Sequence, residues 1–190
     1  TVRSQSGNPY DCILDVEGTL EDPHRAVFFH YGVGPETVLE GVTITNGFAA
    51  VPDAGGGIRS ITASTCPTVR NCVFTNNQSV NPGGAIKCDG GALRLIDCVF
   101  KQNDSGDGSA IEIQGVEQME IRGCVFREHT GSRGAAVKCW GSNPHFIDCH
   151  FESNHAYDGG GAIWFQDGCQ AVLEACSFLA NHAGGKGGAV

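Results

Sequence analysis

The sequence is poor in charge, in methionine and in long apolar runs. Only 17% of its 190 residues are Asp, Glu, Lys or Arg, and a single residue is Met. So little charge beside 41% hydrophobic residues excludes a disordered chain. No apolar run approaches the ~18 residues that a membrane-spanning helix needs, so no membrane span is expected. Basic residues number 12 against 21 acidic ones, for a net charge of -9, and no basic stripe offsets the deficit. That balance argues against nucleic acid or anionic lipid as a partner. C-x-x-C spacing is missing, which makes a zinc site improbable. The first residues, TVRSQSGNPY, carry neither an initiator Met nor a signal-peptide pattern, and the chain reads as cut or processed from something longer.

Glycine is abundant, with 28 residues, and it falls in a pattern. The fragment GGAIKCDG at 83–90 returns as GSAIEIQG at 108–115 and GAAVKCWG at 134–141. Aligning each C-x-F gives a column of Phe74, Phe100, Phe126, Phe151 and Phe178, spaced 26, 26, 25 and 27 residues apart. Cys72, Cys98, Cys124, Cys149 and Cys176 form a second column two places earlier. Three places after each Phe stand Asn77, Asn103, His129, Asn154 and Asn181. The apolar residue after each glycine turn gives Ile58, Ile86, Ile111, Val137, Ile163 and Val190.

Short β-type runs with turns at each corner cannot bury an apolar side within one repeat, and stacking the repeats solves that problem. Alternation in AIKCDG puts Ile86 and Cys88 on one face and Lys87 on the other, as a strand requires. Helical repeats are excluded, because no segment between glycines holds a 3.6-residue period. The expected fold is all-β: a parallel β-solenoid of about six to seven coils of roughly 26 residues, each rising ~4.8 Å. We read residues 1–190 as a single domain, with a lead-in coil at 1–35 and regular coils at 36–190. In the looser coil LEGVTITNG, Leu39, Val42 and Ile44 fall where later coils have Val69, Cys72 and Phe74.

The GGA[I/V] turns at 83–86, 160–163 and 187–190, with F-x-x-N at Phe74, Phe100, Phe151 and Phe178, resemble the repeats of chlamydial polymorphic outer-membrane proteins. They are also similar to coils of secreted right-handed β-helix proteins of the pectate-lyase-like superfamily. The resemblance covers about 36–190 and implies a right-handed helix and an extracellular or cell-surface location. It leaves the activity open, because this solenoid hosts adhesins, scaffolds and polysaccharide enzymes alike. GSAI, GAAV and His129 depart from the pattern and read as drift.

Each column has a structural explanation. Asn77, Asn103, Asn154 and Asn181 read as a ladder of side-chain amides bonded from coil to coil, at a corner where Asn also tolerates a left-handed turn. That ladder turns the N-x-S sequons at Asn77 and Asn103 inward. The five-Cys column reads as buried thiols filling space, since stacked parallel side chains keep Cβ atoms farther apart than the ~3.8 Å of a disulfide. Bridges stay open for Cys12, Cys66 and Cys169, which lie outside the main columns. Lys87, Glu112 and Lys138 form one outward column and Arg94, Glu120 and His145 another, both read as solvated faces.

Three features point beyond structure. Trp140 and Trp164 each follow an inward residue, which turns both indoles outward on adjacent coils, with Tyr157 nearby, as a patch for sugar rings or a protein contact. Asp104 and Asp107 in NDSGDG offer oxygens for a structural calcium, although one loop supplies few ligands; no other cofactor is expected. His155 and His182 read as a solvated corner. Uncovered strand edges at the two ends imply contacts with adjoining segments or with further copies in an end-to-end fibre. The sequence therefore reads as a non-catalytic scaffold or adhesive module of the cell surface. Its alternatives are a polysaccharide lyase or hydrolase and a glycan-binding module, although no catalytic constellation is present as a motif.

Overall fold

A computed structural model describes residues 1–62 and 65–190. Among the described residues almost every ordered segment is a short strand, and a single 3-10 turn, Pro9–Asp11, is capped by Asn8, whose side-chain oxygen accepts from the Tyr10 N–H. The strands stack in parallel into three long sheets and one short, broken one. The first sheet has seven strands, Val2–Arg3, Val38–Glu40, Thr68–Arg70, Arg94–Ile96, Met119–Arg122, Pro144–Ile147 and Val172–Glu174. A second seven-stranded sheet runs from Ile13–Asp15 to Ser177–Leu179. The third has six strands, Val27–Phe29, Ile58–Ile61, Ile86–Asp89, Ile111–Gln114, Val137–Trp140 and Ile163–Gln166. The expected parallel β-solenoid is the fold.

Register follows the sequence columns. Phe74, Phe100, Phe126, Phe151 and Phe178 pair in line, as do Ile58, Ile86, Ile111, Val137 and Ile163. A parallel ladder fixes neighbouring strands ~4.8 Å apart, so in-register aromatics have little choice but to stack. The four successive Phe pairs have centroids 4.8, 4.9, 4.7 and 4.8 Å apart with planes within 7°. Leu39 and Ile44 pair with Val69 and Phe74, confirming the looser coil's register. Residues 1–35 make a complete coil of their own, adding a strand to each long sheet through Val2↔Leu39, Leu14↔Ile44 and Val27↔Ile58.

Corners use the left-handed region at fixed places. The residue before each ladder position adopts it: Asn76, Gln102, Glu128, Ser153 and Ala180, with φ from 52° to 59°. The ladder asparagine was expected to take that turn itself. Instead it lies one residue later, where its side chain points into the core and its amide meets the neighbouring coils. At Gly83 a side chain is barred twice, by a φ of 85° and because a Cβ would lie 2.6 Å from the Ile86 carbonyl oxygen. Such glycines let the turns close tightly onto the third sheet.

Candidate functional site

Most polar groups in the core are committed to the stack itself. Asn103 Nδ2 donates to the Phe74 carbonyl, Asn154 Nδ2 to the Phe126 carbonyl and Asn181 Nδ2 to the Phe151 carbonyl. Their side-chain oxygens accept from the neighbouring coil: Asn77 N–H to Asn103 at 3.0 Å, His129 N–H to Asn154 at 3.2 Å and Asn154 N–H to Asn181 at 3.1 Å. Asn77 and Asn103 are 0% and 2% exposed, so both sequon side chains are out of reach. His129 fills the ladder as an acceptor, its Nδ1 receiving the Asn103 N–H at 3.2 Å. Its Nε2 has no partner among the described residues. Burial lowers its pKa from 6.5 to about 4, which keeps the ring neutral.

All ten cysteines are free thiols. Column thiols donate to carbonyls instead of bridging, as Cys98 Sγ does to Val69 and Ile96 and Cys149 Sγ to Ile121 and Ile147. Burial pushes Cys88 up to about 12 and raises Cys124 and Cys139 well above the ordinary thiol value.

The outward columns behave differently from each other. Arg94 and Glu120 form an exposed pair at 3.5 Å, and His145 lies 3.1 Å from Glu174. Arg94, Glu120 and His145 border an open groove of about 580 Å³ beside the first sheet, lined also by Gln118, Asn143 and Gln170. Lys87, Glu112 and Lys138, by contrast, are 6%, 4% and 6% exposed, so the expectation of a solvated face fails here. The reason is the glycine turns. Added Cβ atoms at Gly83 and Gly108 would lie 3.3 and 2.9 Å from the Cβ atoms of Glu112 and Lys138, so the turn backbone lies directly on this column. A cavity of about 290 Å³ remains there, bordered by Pro52, Asn81 and Pro82 on the turn side and by Trp140 at its rim.

Charges in and around this groove form two chains. Asp53 meets Arg25 at 3.0 Å and also pairs with Arg59, which lies 3.8 Å from Asp89. Lys87 Nζ pairs with Glu112 and donates to Gln114 Oε1 at 2.7 Å. Lys138 Nζ is 2.9 Å from Asp107 Oδ2 and 3.7 Å from Glu112 Oε1. Arg133 closes the second chain, its Nη2 donating to Asp107 Oδ2 at 2.9 Å and its backbone N–H to Oδ1 at 3.0 Å. Each of these carboxylates therefore faces at least one cation. Strand alternation gave the Lys87–Glu112–Lys138 column; the roof, which makes it a buried chain, depends on contacts between turns and sheet that no local pattern records.

The other sequence-derived positions divide. Trp140 is exposed by 41%, with Lys138 Nζ 6.0 Å from its ring centroid. Trp164 points outward one coil on, diagonal to it, but is half-buried against Gly159 and its Nε1 has no partner among the described residues. Tyr157 is 69% exposed, its ring 5.6 Å from that of His155. His155 and His182 meet edge to face at 5.0 Å on the surface. Asp104 is exposed and its backbone bridges Gln78 and Thr130, whereas the Asp107 carboxylate is taken up by Arg133 and Lys138. Among the described residues no three His, Cys, Asp or Glu side chains converge as metal ligands, and no helix is long and apolar enough to cross a membrane.

Two family models match the chain. One, described as the right handed beta helix region, matches residues 85–187, more than half of the 190. The other, the Chlamydia polymorphic membrane protein repeat, matches residues 71–93. The chain matches no curated protein and no solved structure.

Proposed function

The chain belongs to the right-handed β-helix family, and from that premise we propose that it is a rigid, non-catalytic scaffold of the cell surface with an adhesive face at the Trp140 groove. The observation that carries this reading is the uninterrupted stack: the aromatic column from Phe74 to Phe178 and the hydrogen-bonded column from Asn77 to Asn181 tie successive coils into one stiff unit. A body built this way holds a surface at a fixed distance and orientation. The match of residues 71–93 to a polymorphic membrane protein repeat supports the surface location.

Trp140 supplies the adhesive part. A half-exposed indole suits the face of a sugar ring, which stacks on the aromatic while its hydroxyls meet polar neighbours. The test has two arms. Protease shaving and antibody labelling of intact cells should remove and detect the protein; a protein that stays protected overturns the surface assignment. The purified chain should be retained on glycan-coated beads and Trp140→Ala released from them; equal behaviour of the two overturns the adhesive assignment.

A further inference from the structure

Lys138, Asp107 and Glu112 form a buried trio on the third sheet, with side chains only 7%, 9% and 5% exposed. Burial at this depth penalises both charges of an ion pair. A neutral lysine amine out of water is a nucleophile. The carboxyl group it would attack lies beside it, with Lys138 Nζ 2.9 Å from Asp107 Oδ2. The Asp107 carboxyl is held from its other side by Arg133, through its backbone N–H on Oδ1 and its Nη2 on Oδ2. The backbone N–H addresses Oδ1, the oxygen that gains negative charge when the carboxyl carbon becomes tetrahedral. Glu112 Oε1 lies 3.7 Å from Nζ and must close by about half an ångström to act as the base, while Lys87 pairs with its Oε2.

We propose that Lys138 and Asp107 condense into an amide bond, a covalent staple between neighbouring coils. One proton first passes from Nζ to Oδ2, leaving an amine beside a carboxylic acid. The Nζ lone pair then attacks Cγ and forms the new N–C bond. Glu112 takes a second proton from Nζ and delivers it to the departing Oδ2, whose bond to Cγ breaks. Oδ2 and the two protons leave as one water; nothing is oxidised or reduced, and the two opposite charges end as one neutral amide. A bond made once per chain tolerates a slow step.

The staple would join positions 31 residues apart, across a coil-to-coil contact in the interior of the stack. It rests on the trio alone, and neither cell-surface location nor glycan binding is assumed.

The experiment is an intact mass and a tryptic map of the purified full-length chain after incubation at neutral pH. The expected chain is lighter than its sequence by one water, with the peptides that carry Asp107 and Lys138 recovered as one joined fragment. Glu112→Gln should keep the full sequence mass, and Asp107→Asn should lose one ammonia in place of water. Asp107 precedes Gly108, and this pair also loses water when it cyclises to a succinimide. Lys138→Arg separates the two: it restores the full mass for a lysine amide and leaves the loss for a succinimide. Full mass in the unmutated chain with Asp107 and Lys138 in separate peptides overturns the proposal, as does a loss that survives Lys138→Arg. The first result needs no variant to fold.

Discussion

The side-chain oxygen of Asn103 accepts two hydrogen bonds from Asn77, one from its backbone N–H and one from its Nδ2, both at 3.0 Å. One residue thus holds the corner of the neighbouring coil while its own Nδ2 donates to the Phe74 carbonyl. The consequence is a high cost for a small truncation.

Asn103→Ala leaves the Asn77 N–H buried without its partner and removes one of the Phe74 carbonyl's hydrogen bonds, the strand ladder keeping the other. An orphaned buried group costs ~1–3 kcal/mol, so the variant should lose on the order of 1–3 kcal/mol. Urea unfolding followed by circular dichroism checks this; a loss below ~1 kcal/mol would mean that the ladder is not cohesive.

Phe100 lies between Phe74 and Phe126 in the aromatic stack, fully buried. Phe100→Ala should cost ~3–5 kcal/mol through lost transfer energy and the cavity that remains. Phe178→Ala, in a half-buried position at the edge of the stack, should cost clearly less in the same measurement. Equal costs would contradict the burial gradient.

His129 makes stability depend on pH. Its folded pKa is lowered to about 4 from 6.5, so the unfolded chain binds the proton first as pH falls. Its contribution is complete above pH 6.5 and is lost progressively between there and about 4. At ~1.4 kcal/mol per unit, the loss approaches roughly 3 kcal/mol. His129→Asn supplies the amide that the other ladder positions carry and should remove this component. The check is the difference in unfolding free energy between variant and parent at pH 7.5 and pH 4.5; a difference that does not change with pH refutes the assignment.

The thiols should divide by burial. Alkylation of the folded protein, mapped by peptide mass, should label Cys12, Cys66, Cys169 and Cys176 and spare Cys88, Cys98, Cys124 and Cys139. Cys88, pushed up to about 12, should resist even at mildly alkaline pH. Labelling of Cys98 at the rate of Cys66 would contradict the buried column.

Much of this protein was legible in its sequence because a parallel ladder copies one coil's register to the next. Phe74 to Phe178, Asn77 to Asn181 and Cys72 to Cys176 are columns in the text and in space for the same reason: each coil must offer the same residue type to the same slot. His129 was visible as the departure in its column, and its role as an acceptor follows from the slot it fills. What the sequence by itself determined was therefore the period, the inward face and the coil register. Tertiary structure alone decided the rest. Alternation correctly turns Lys87, Glu112 and Lys138 away from the core, but only the turns at Gly83 and Gly108, folding back over the sheet, remove that column from water. The same folding brings Asp107 against Lys138 of the next coil. A face's direction is a local property of a strand, whereas its contact with solvent depends on what distant backbone covers it.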